Sequence, residues 1–377
     1  MSYSVLYTEG DTTKDISELV SSMQFGGEIK SAARKLEVSF IYGTDYFIPK
    51  LKVKNGSLLR LFSNDKELIR TVIFSNGKND KGDFRATGYT HGIYLTKNKD
   101  TKIFRNMKAG QIAQSLCSEF GIPVGEIDDT KIQLDKLILR DKTLWDMILI
   151  AVTETTKQSG IKYRMFFKEG KLYIKEKAKQ YVMWVLEEGV NLLAADYSAS
   201  IENMKNQVKV VGKLPKESKQ KYNPAADSDW DAPSTQQDDE QQEFIYVAKN
   251  EKLQEMYGLM QEIKEESGDD ITQSKIIQIA NEMLAELAKE EIEANVEAIG
   301  LDDVEAGMAV YIVESTTGLV GSYYVEQDAH NIEGNSHTMK LKLTLTNDVP
   351  ELKYEPPQEA KAAQSKQKYD PSKDKNW

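Results

Sequence analysis

Alternation of apolar and polar positions dominates the first hundred residues and returns near the end of the chain. In LEVSFIY (36–42), Leu36, Val38, Phe40 and Tyr42 share one face, the period-two pattern of a half-buried strand. LKVK, SLLRLF and IRTVIF continue the pattern between 51 and 74, separated by Asn-Gly and Ser-Asn-Asp turns. SNGKNDKGD (75–83) reads as a loop and FRATGYTHGIYL (84–95) as a further strand. Alternation is cleanest in TMKLKLTLT (338–346). There Met339, Leu341, Leu343 and Leu345 are expected to face a core, with Lys340, Lys342 and Thr344 outside.

The spacing changes after residue 101. Met107, Ile112, Leu116 and Phe120 recur at helical intervals, and Gly121 stands where a left-handed C-terminal cap is wanted. KTLWDMILIAVTETTKQ (142–158) predicts a second helix stopped by Ser159 and Gly160, and IKYRMFFKEGKLYIKEK (161–177) a hairpin turning at KEGK. NQVKVVGKL (206–214) restores strand character. The Pro-, Gln- and Asp-rich stretch 215–242 has almost nothing to bury and reads as a flexible linker. A helix over 272–290 follows, with Ile276, Ile279, Met283 and Leu287 on one stripe and Asp270 with Gln273 as a capping box. Residues 292–347 are again β, and the polar tail 351–377 is expected to be disordered.

VKNGSLLRLFSNDKELIRTVIF (53–74) and VEAGMAVYIVESTTGLVGSYYV (304–325) echo one another. Each has a glycine (Gly56, Gly307), an alternating strand (Leu59 and Leu61; Val310 and Ile312), a short polar turn and a second strand. Duplication and chance likeness between two hairpins both account for this.

Composition narrows the function classes. With 377 residues the chain is long enough for two or three domains, and 40% hydrophobic against 29% charged residues is the balance of a globular protein. The net charge of −11 argues against nucleic-acid specificity or attraction to anionic membrane. The longest central apolar run, LWDMILIAV (144–152), is too short to span a bilayer, and no signal peptide is visible in MSYSVLYTEGDTTKD. A soluble protein made in the cytoplasm, without insertion into a membrane, is the expectation. Cys117, the single cysteine, falls within the first predicted helix, where a small buried hydrophobe is the default.

Candidate chemistry concentrates in GSYYVEQDAHNIEGNSHTMKLKLTL (321–345), which holds two of the three histidines. If YYVEQDAHNI is a strand, Asp328 and His330 share a face, and His337 begins a return strand within reach of His330; Glu333 stands near the tip. Asp328, His330 and His337 are therefore the candidate ligands of a metal-dependent hydrolase. A strand turn with buried histidines is the competing reading, because a metal needs three or four ligands in a fixed shell. No GxSxG, HExxH or GxxxxGK[ST] motif is present, and no cofactor is expected. The third histidine, His91, reads as an ordinary strand or loop residue. TKIFRNMKAGQIAQSLCSEFGIPVGEI (101–127) resembles small peptidoglycan-binding modules of the LysM kind, which makes a wall-binding module through 101–177 a second alternative.

Four stretches in order carry a broader resemblance: MQFGGEIKSAARKLEVSF (23–40), MKAGQIAQSLCSEFGIP with 142–174, MKNQVKVVG (204–212), and YGLMQEIKEES with the helix 272–290 and 318–345. Together they resemble the XkdQ-type baseplate hub proteins of contractile phage tails, defective prophages and phage-tail-like bacteriocins, related to late control D proteins. The resemblance covers most of the chain. It implies a mainly β protein with two tube-protein-like β-barrels and a small inserted α/β domain. The implied boundaries are 1–100 with 182–214 for the first barrel and 101–181 for the insertion. A flexible acidic loop then occupies 215–243, the second barrel with its helix 244–350, and the tail 351–377. The implied function is structural and not enzymatic: a homotrimeric ring between the hexameric tail tube above and the trimeric spike below, touching other baseplate proteins and released by lysis within a tail or tail-like particle. In that family the histidine hairpin is a structural feature.

Overall fold

The computed structural model describes residues 2–41, 52–79, 83–177, 182–214, 242–267 and 271–345, together with Leu352 and Tyr354. The chain divides into two compact units, 1–196 with 294–377, and 197–293. Mainly β structure is what the alternation foretold.

The larger unit begins with β1 (Tyr3–Glu9), β2 (Thr12–Asp15), β3 (Val20–Glu28), β4 (Lys35–Ile41), β5 (Leu58–Ser63), β6 (Lys66–Lys78) and β7 (Asp83–Tyr89). The inward faces of these strands, among them Leu36, Val38, Phe40, Leu59, Leu61 and Phe84, close one hydrophobic core. β6 runs on through Ser75–Lys78, where a loop was expected, because its last residues pair with β7. The expected strand 84–95 ends at Tyr89. Gly92 opens the short helix α1 (Gly92–Lys97), at a point where a Cβ would collide with the Ala32 carbonyl.

A mixed segment follows: β8 (Lys99–Lys108), α2 (Ala109–Glu119), β9 (Val124–Ile127), β10 (Gln133–Thr143), α3 (Leu144–Ser159), β11 (Tyr163–Lys168) and β12 (Lys171–Glu176). The helices form where the 3.6-residue spacing lies. The Thr143 hydroxyl caps α3 by accepting from the Asp146 N–H, and Gly160, in the left-handed region, ends it. Ile112, Leu116, Cys117, Leu144, Met147 and Ile148 lie at the centre of its core. Leu352 and Tyr354, placed in the disordered tail by the sequence reading, pack on this core, and the Tyr354 hydroxyl accepts from the Ile138 N–H at 2.9 Å. The rest of 351–377 lies outside the described residues.

After β13 (Trp184–Glu187) and β14 (Leu192–Ser200) the chain enters the smaller unit. Here β15 (Gln207–Leu214) lies between β16 (Gln242–Lys249) and β17 (Gln261–Ser267). A short helix α4 (Glu251–Tyr257) joins β16 to β17, and α5 (Gln273–Leu287) lays Ile276, Ile279, Met283 and Leu287 over Val208, Val210 and Tyr246. Two expectations are corrected here. The strand 207–214 does not return to the first barrel, and the helix does not belong with the C-terminal strands; both complete this three-stranded unit, because their apolar faces are buried against each other. The cap of α5 is Thr272, whose hydroxyl accepts from the Lys275 N–H. Asp270, the expected cap, and the acidic stretch 215–241 lie outside the described residues. Gln242 and Glu243, read as loop, already belong to β16.

The larger unit closes with β18 (Glu291–Ile299), β19 (Ala309–Val313), β20 (Val320–Glu333) and β21 (Ser336–Thr344). Their core contains Val296, Val310, Ile312, Val325, Met339, Leu341 and Leu343. Leu345, expected inside, is 60% exposed, because β21 ends at Thr344. β13 pairs with β19, and Leu186 and Leu192 join this second core, so 182–196 belongs with the C-terminal strands and not with the first half.

The strands of the larger unit other than β8–β12 form one 13-stranded sheet in the order β14-β18-β21-β20-β3-β4-β7-β6-β5-β1-β2, with β19 branching from β20 and β13 paired to β19. Its halves meet where β20 pairs with β3. Within each half four consecutive strands have the same arrangement. β4-β7-β6-β5 and β18-β21-β20-β19 are both antiparallel, with the first strand beside the fourth, a Greek-key connection. The echo extends to single hydrogen bonds. The Gly56 N–H donates to the Ile73 carbonyl and the Ile73 N–H to the Ser57 carbonyl; likewise Gly307 donates to Val325 and Val325 to Met308. Both glycines are left-handed, φ +88° and +91°.

Candidate functional site

The alternation of β20 turns Asp328, His330 and Ile332 inward, and all three are buried. Glu333 falls on the opposite parity, is exposed, and takes no part. β21 returns antiparallel, bringing His337 opposite Ile332 and its Nε2 to 3.0 Å from His330 Nδ1. His330 stacks face to face on Phe25 of β3, ring centroids 4.5 Å apart. Gly300 leaves room for the His337 ring, since any Cβ there would lie about 2.1 Å from it.

Every imidazole nitrogen of the pair has a protein partner. His330 Nε2 lies 2.8 Å from the Val304 carbonyl, and His337 Nδ1 lies 2.8 Å from the Tyr3 hydroxyl. Tyr3 in turn donates to Asp302 at 2.9 Å. Burial lowers the pKa of His330, against the pull of Asp328; burial and the neighbouring His330 lower that of His337 to about 4. Burial, and then Asp302, raise the Tyr3 hydroxyl. Both imidazoles are therefore neutral at pH 7.

Asp328 is occupied as well. Arg34, just before β4, donates to both of its oxygens at 3.0 and 2.7 Å, and the Ala306 N–H donates at 2.8 Å. Arg164 of β11 donates to Glu305 at 2.9 Å and to the Ala306 carbonyl at 3.0 Å, while Arg34 lies 3.6 Å from Glu305. Burial opposes ionisation of Glu305, but Arg34 and Arg164 outweigh it and hold the carboxyl below its ordinary value. The result is a partly buried chain of alternating charge linking the β3–β4 turn, the mixed segment and the C-terminal strands.

The structure thus brings Asp328, His330 and His337 into one cluster, as the strand parity required. It leaves them no open coordination position. Among the described residues no group of three or more His, Cys, Asp and Glu side chains is arranged to hold a metal. What the cluster does chemically is hold strands together through contacts between protein groups at hydrogen-bond distance. The sequence reading missed Tyr3, Arg34, Asp302, Glu305 and Arg164. Arg34 stood within the quoted AARKLEVSF, but its partner lies 294 residues away and carried no local signal.

Known proteins place this architecture. The sequence pattern of the YQBQ-like family matches residues 23–232 and 234–344. The chain belongs to that family. It is 30% identical over 340 residues to the phage-like element PBSX protein XkdQ of Bacillus subtilis (strain 168), covering 89% of this chain and 95% of that one. Among solved structures it is similar to the 43 kDa tail protein of prophage MuSo2 from Shewanella oneidensis. That match has a TM-score of 0.65 at 12% identity and covers 92% of this chain and 100% of that one. It is also similar to a tail protein from Neisseria meningitidis MC58, with a TM-score of 0.63 at 12% identity over 91% of this chain and 96% of that one. Its fold is thus the one seen in these phage tail proteins. No helix among the described residues is long and apolar enough to cross a membrane.

Proposed function

We propose that the chain is the hub of a contractile-tail baseplate, a homotrimer whose ring joins a hexameric tail tube above to a trimeric spike below. The observation that carries this reading is the repeated four-strand arrangement, β4-β7-β6-β5 and β18-β21-β20-β19, with its matched Gly56 and Gly307 turns. A six-fold tube meets a three-fold spike without mismatch when each of three subunits offers two equivalent β modules, so three chains present six. Each module has its own core. The sheet ends in strands whose outer edges are unpaired among the described residues, β2 and β14, and closing a ring covers such edges. The subunits assemble in the bacterial cytoplasm, with other baseplate proteins as neighbours, and leave by lysis inside the finished particle.

Light scattering of the purified chain over a range of concentrations tests the proposal. A mass near three times 42.7 kDa, with six density lobes around an axial channel in electron micrographs, is the expected result. A monomer that stays monomeric when mixed with its spike and tube proteins overturns it.

A further inference from the structure

Four contacts run in series through the histidine cluster: Val304 carbonyl to His330 Nε2 (2.8 Å), His330 Nδ1 to His337 Nε2 (3.0 Å), His337 Nδ1 to Tyr3 hydroxyl (2.8 Å), and Tyr3 hydroxyl to Asp302 (2.9 Å). Each is short enough to be a hydrogen bond, so each needs one hydrogen. The ends only accept, being a carbonyl and a carboxylate. Between them a neutral imidazole supplies one hydrogen, a second imidazole another, and the phenol a third. The chain has four links and three hydrogens.

The location of the shortfall follows. The Val304 carbonyl requires the hydrogen of His330 on Nε2, which leaves His330 Nδ1 an acceptor and requires the hydrogen of His337 on its Nε2. His337 Nδ1 and the Asp302 carboxylate then both face the single Tyr3 proton. One further proton, on His337 Nδ1 or on Asp302, closes all four links.

We infer that Tyr3, Asp302, His330 and His337 form one proton-binding site that clasps the N-terminal strand to the C-terminal hairpin, one hydrogen short at neutral pH and complete after taking up a single proton. The site acts as a unit, because the added proton satisfies the same links wherever it sits. The surroundings are charge-balanced. Asp328, 3.6 Å from His330 Nε2, is neutralised by Arg34; Glu305 is held by Arg34 and Arg164; Asp303, beside Asp302, pairs with Lys66; and β3 contributes only the Phe25 ring. Asp302 itself lies 3.5 Å from His337 Nδ1 and favours the proton there. Burial works against uptake and delays it into the acid range.

Three histidines in the full-length chain make the test direct. In protein with 15N-labelled histidine, ring nitrogen signals are followed from pH 8 to pH 4. At neutral pH both His330 and His337 are expected as Nε2–H tautomers, and on acidification both signals move with one shared midpoint. Asp302→Asn replaces the carboxylate by an amide that donates to the Tyr3 oxygen and so supplies the fourth hydrogen without protonation. The shared midpoint should then fall by a unit or more. An Nδ1–H tautomer at either histidine, two independent midpoints, or an unmoved midpoint in Asp302→Asn overturns the inference. The wild-type tautomers decide it alone should the variant not fold.

Discussion

Arg34 grips Asp328 by two parallel hydrogen bonds, Nη1 to Oδ1 at 3.0 Å and Nη2 to Oδ2 at 2.7 Å, across 294 positions of sequence. The carboxylate is fully buried and the guanidinium mostly so. A bidentate pair of this kind fixes the angle between its carriers as well as the distance, here between the chain entering β4 and the middle of β20.

Removing one partner leaves the other charged and buried, which costs far more than the net contribution of the pair. Arg34→Met is expected to destabilise the chain by about 3–5 kcal/mol, read from the urea midpoint. The double variant Arg34→Met with Asp328→Leu should recover most of that loss, since no buried charge remains. A double variant no better than the single one would show that geometry, and not charge, is what the pair supplies.

The two halves of the sheet meet at a glycine. A Cβ on Gly26 would lie about 2.1 Å from the Asp328 carbonyl oxygen, a backbone atom that cannot swing aside. Gly26→Ala must therefore part β3 from β20 and should cost about 1–3 kcal/mol. Gly77→Ala, with nothing within 4 Å of its Cβ and no positive φ, is the control and should stay within about 0.5 kcal/mol. Hydrogen exchange should quicken at the β3–β20 amides in Gly26→Ala alone.

Acid should weaken the fold through His337, because burial makes the added proton cost more than the link it completes returns. Its pKa is about 4 in the folded chain against 6.5 for the free group, so the unfolded chain binds more protons between those values. Stability is complete above pH 6.5 and falls as pH drops towards 4. His337→Gln removes the titrating group, and the urea midpoint of the variant should change less between pH 7 and pH 5 than that of the wild type. An equal change in both would assign the acid sensitivity to other groups.

Much of the architecture was legible because burial imprinted it locally. The alternation of β4 and β21 and the capped α3 follow from which residues face inward and which caps satisfy the helix ends. β10 escaped because its buried positions, Leu134, Leu137 and Leu139, break the period of two. α1 escaped because Gly92 is there to let the Ala32 carbonyl approach, a reason that exists only in three dimensions. The same holds for the site. Strand parity was enough to put Asp328 and His330 on one face, but their partners Arg34 and Val304, and the Tyr3 that meets His337, are set by pairings between distant strands. Assigning 207–214 to the wrong sheet has the same origin, since an alternating strand carries no mark of its neighbour.

If the two halves descend from one module, equivalent positions should respond alike to the same change. Gly56 and Gly307 give the sharpest comparison. Both have φ near +90°, and both donate their N–H to a residue in the second strand after the glycine, which returns a hydrogen bond to the residue next to the glycine. An L side chain is strained in that region by about 1–2 kcal/mol, so Gly56→Ala, with open space around its Cβ, should lose roughly this much. Gly307→Ala should lose the same plus a further amount, because its Cβ would come within 3.3 Å of Arg164 Nε and disturb the hold on Glu305. Truncating Arg164 in the Gly307→Ala background should cost less than truncating it in the wild type, bringing the two glycine positions level. Urea unfolding of the four variants measures the cycle. Unequal glycine costs in the absence of Arg164 would mean that the hairpins match in outline only, and the six-module ring would lose its main physical support.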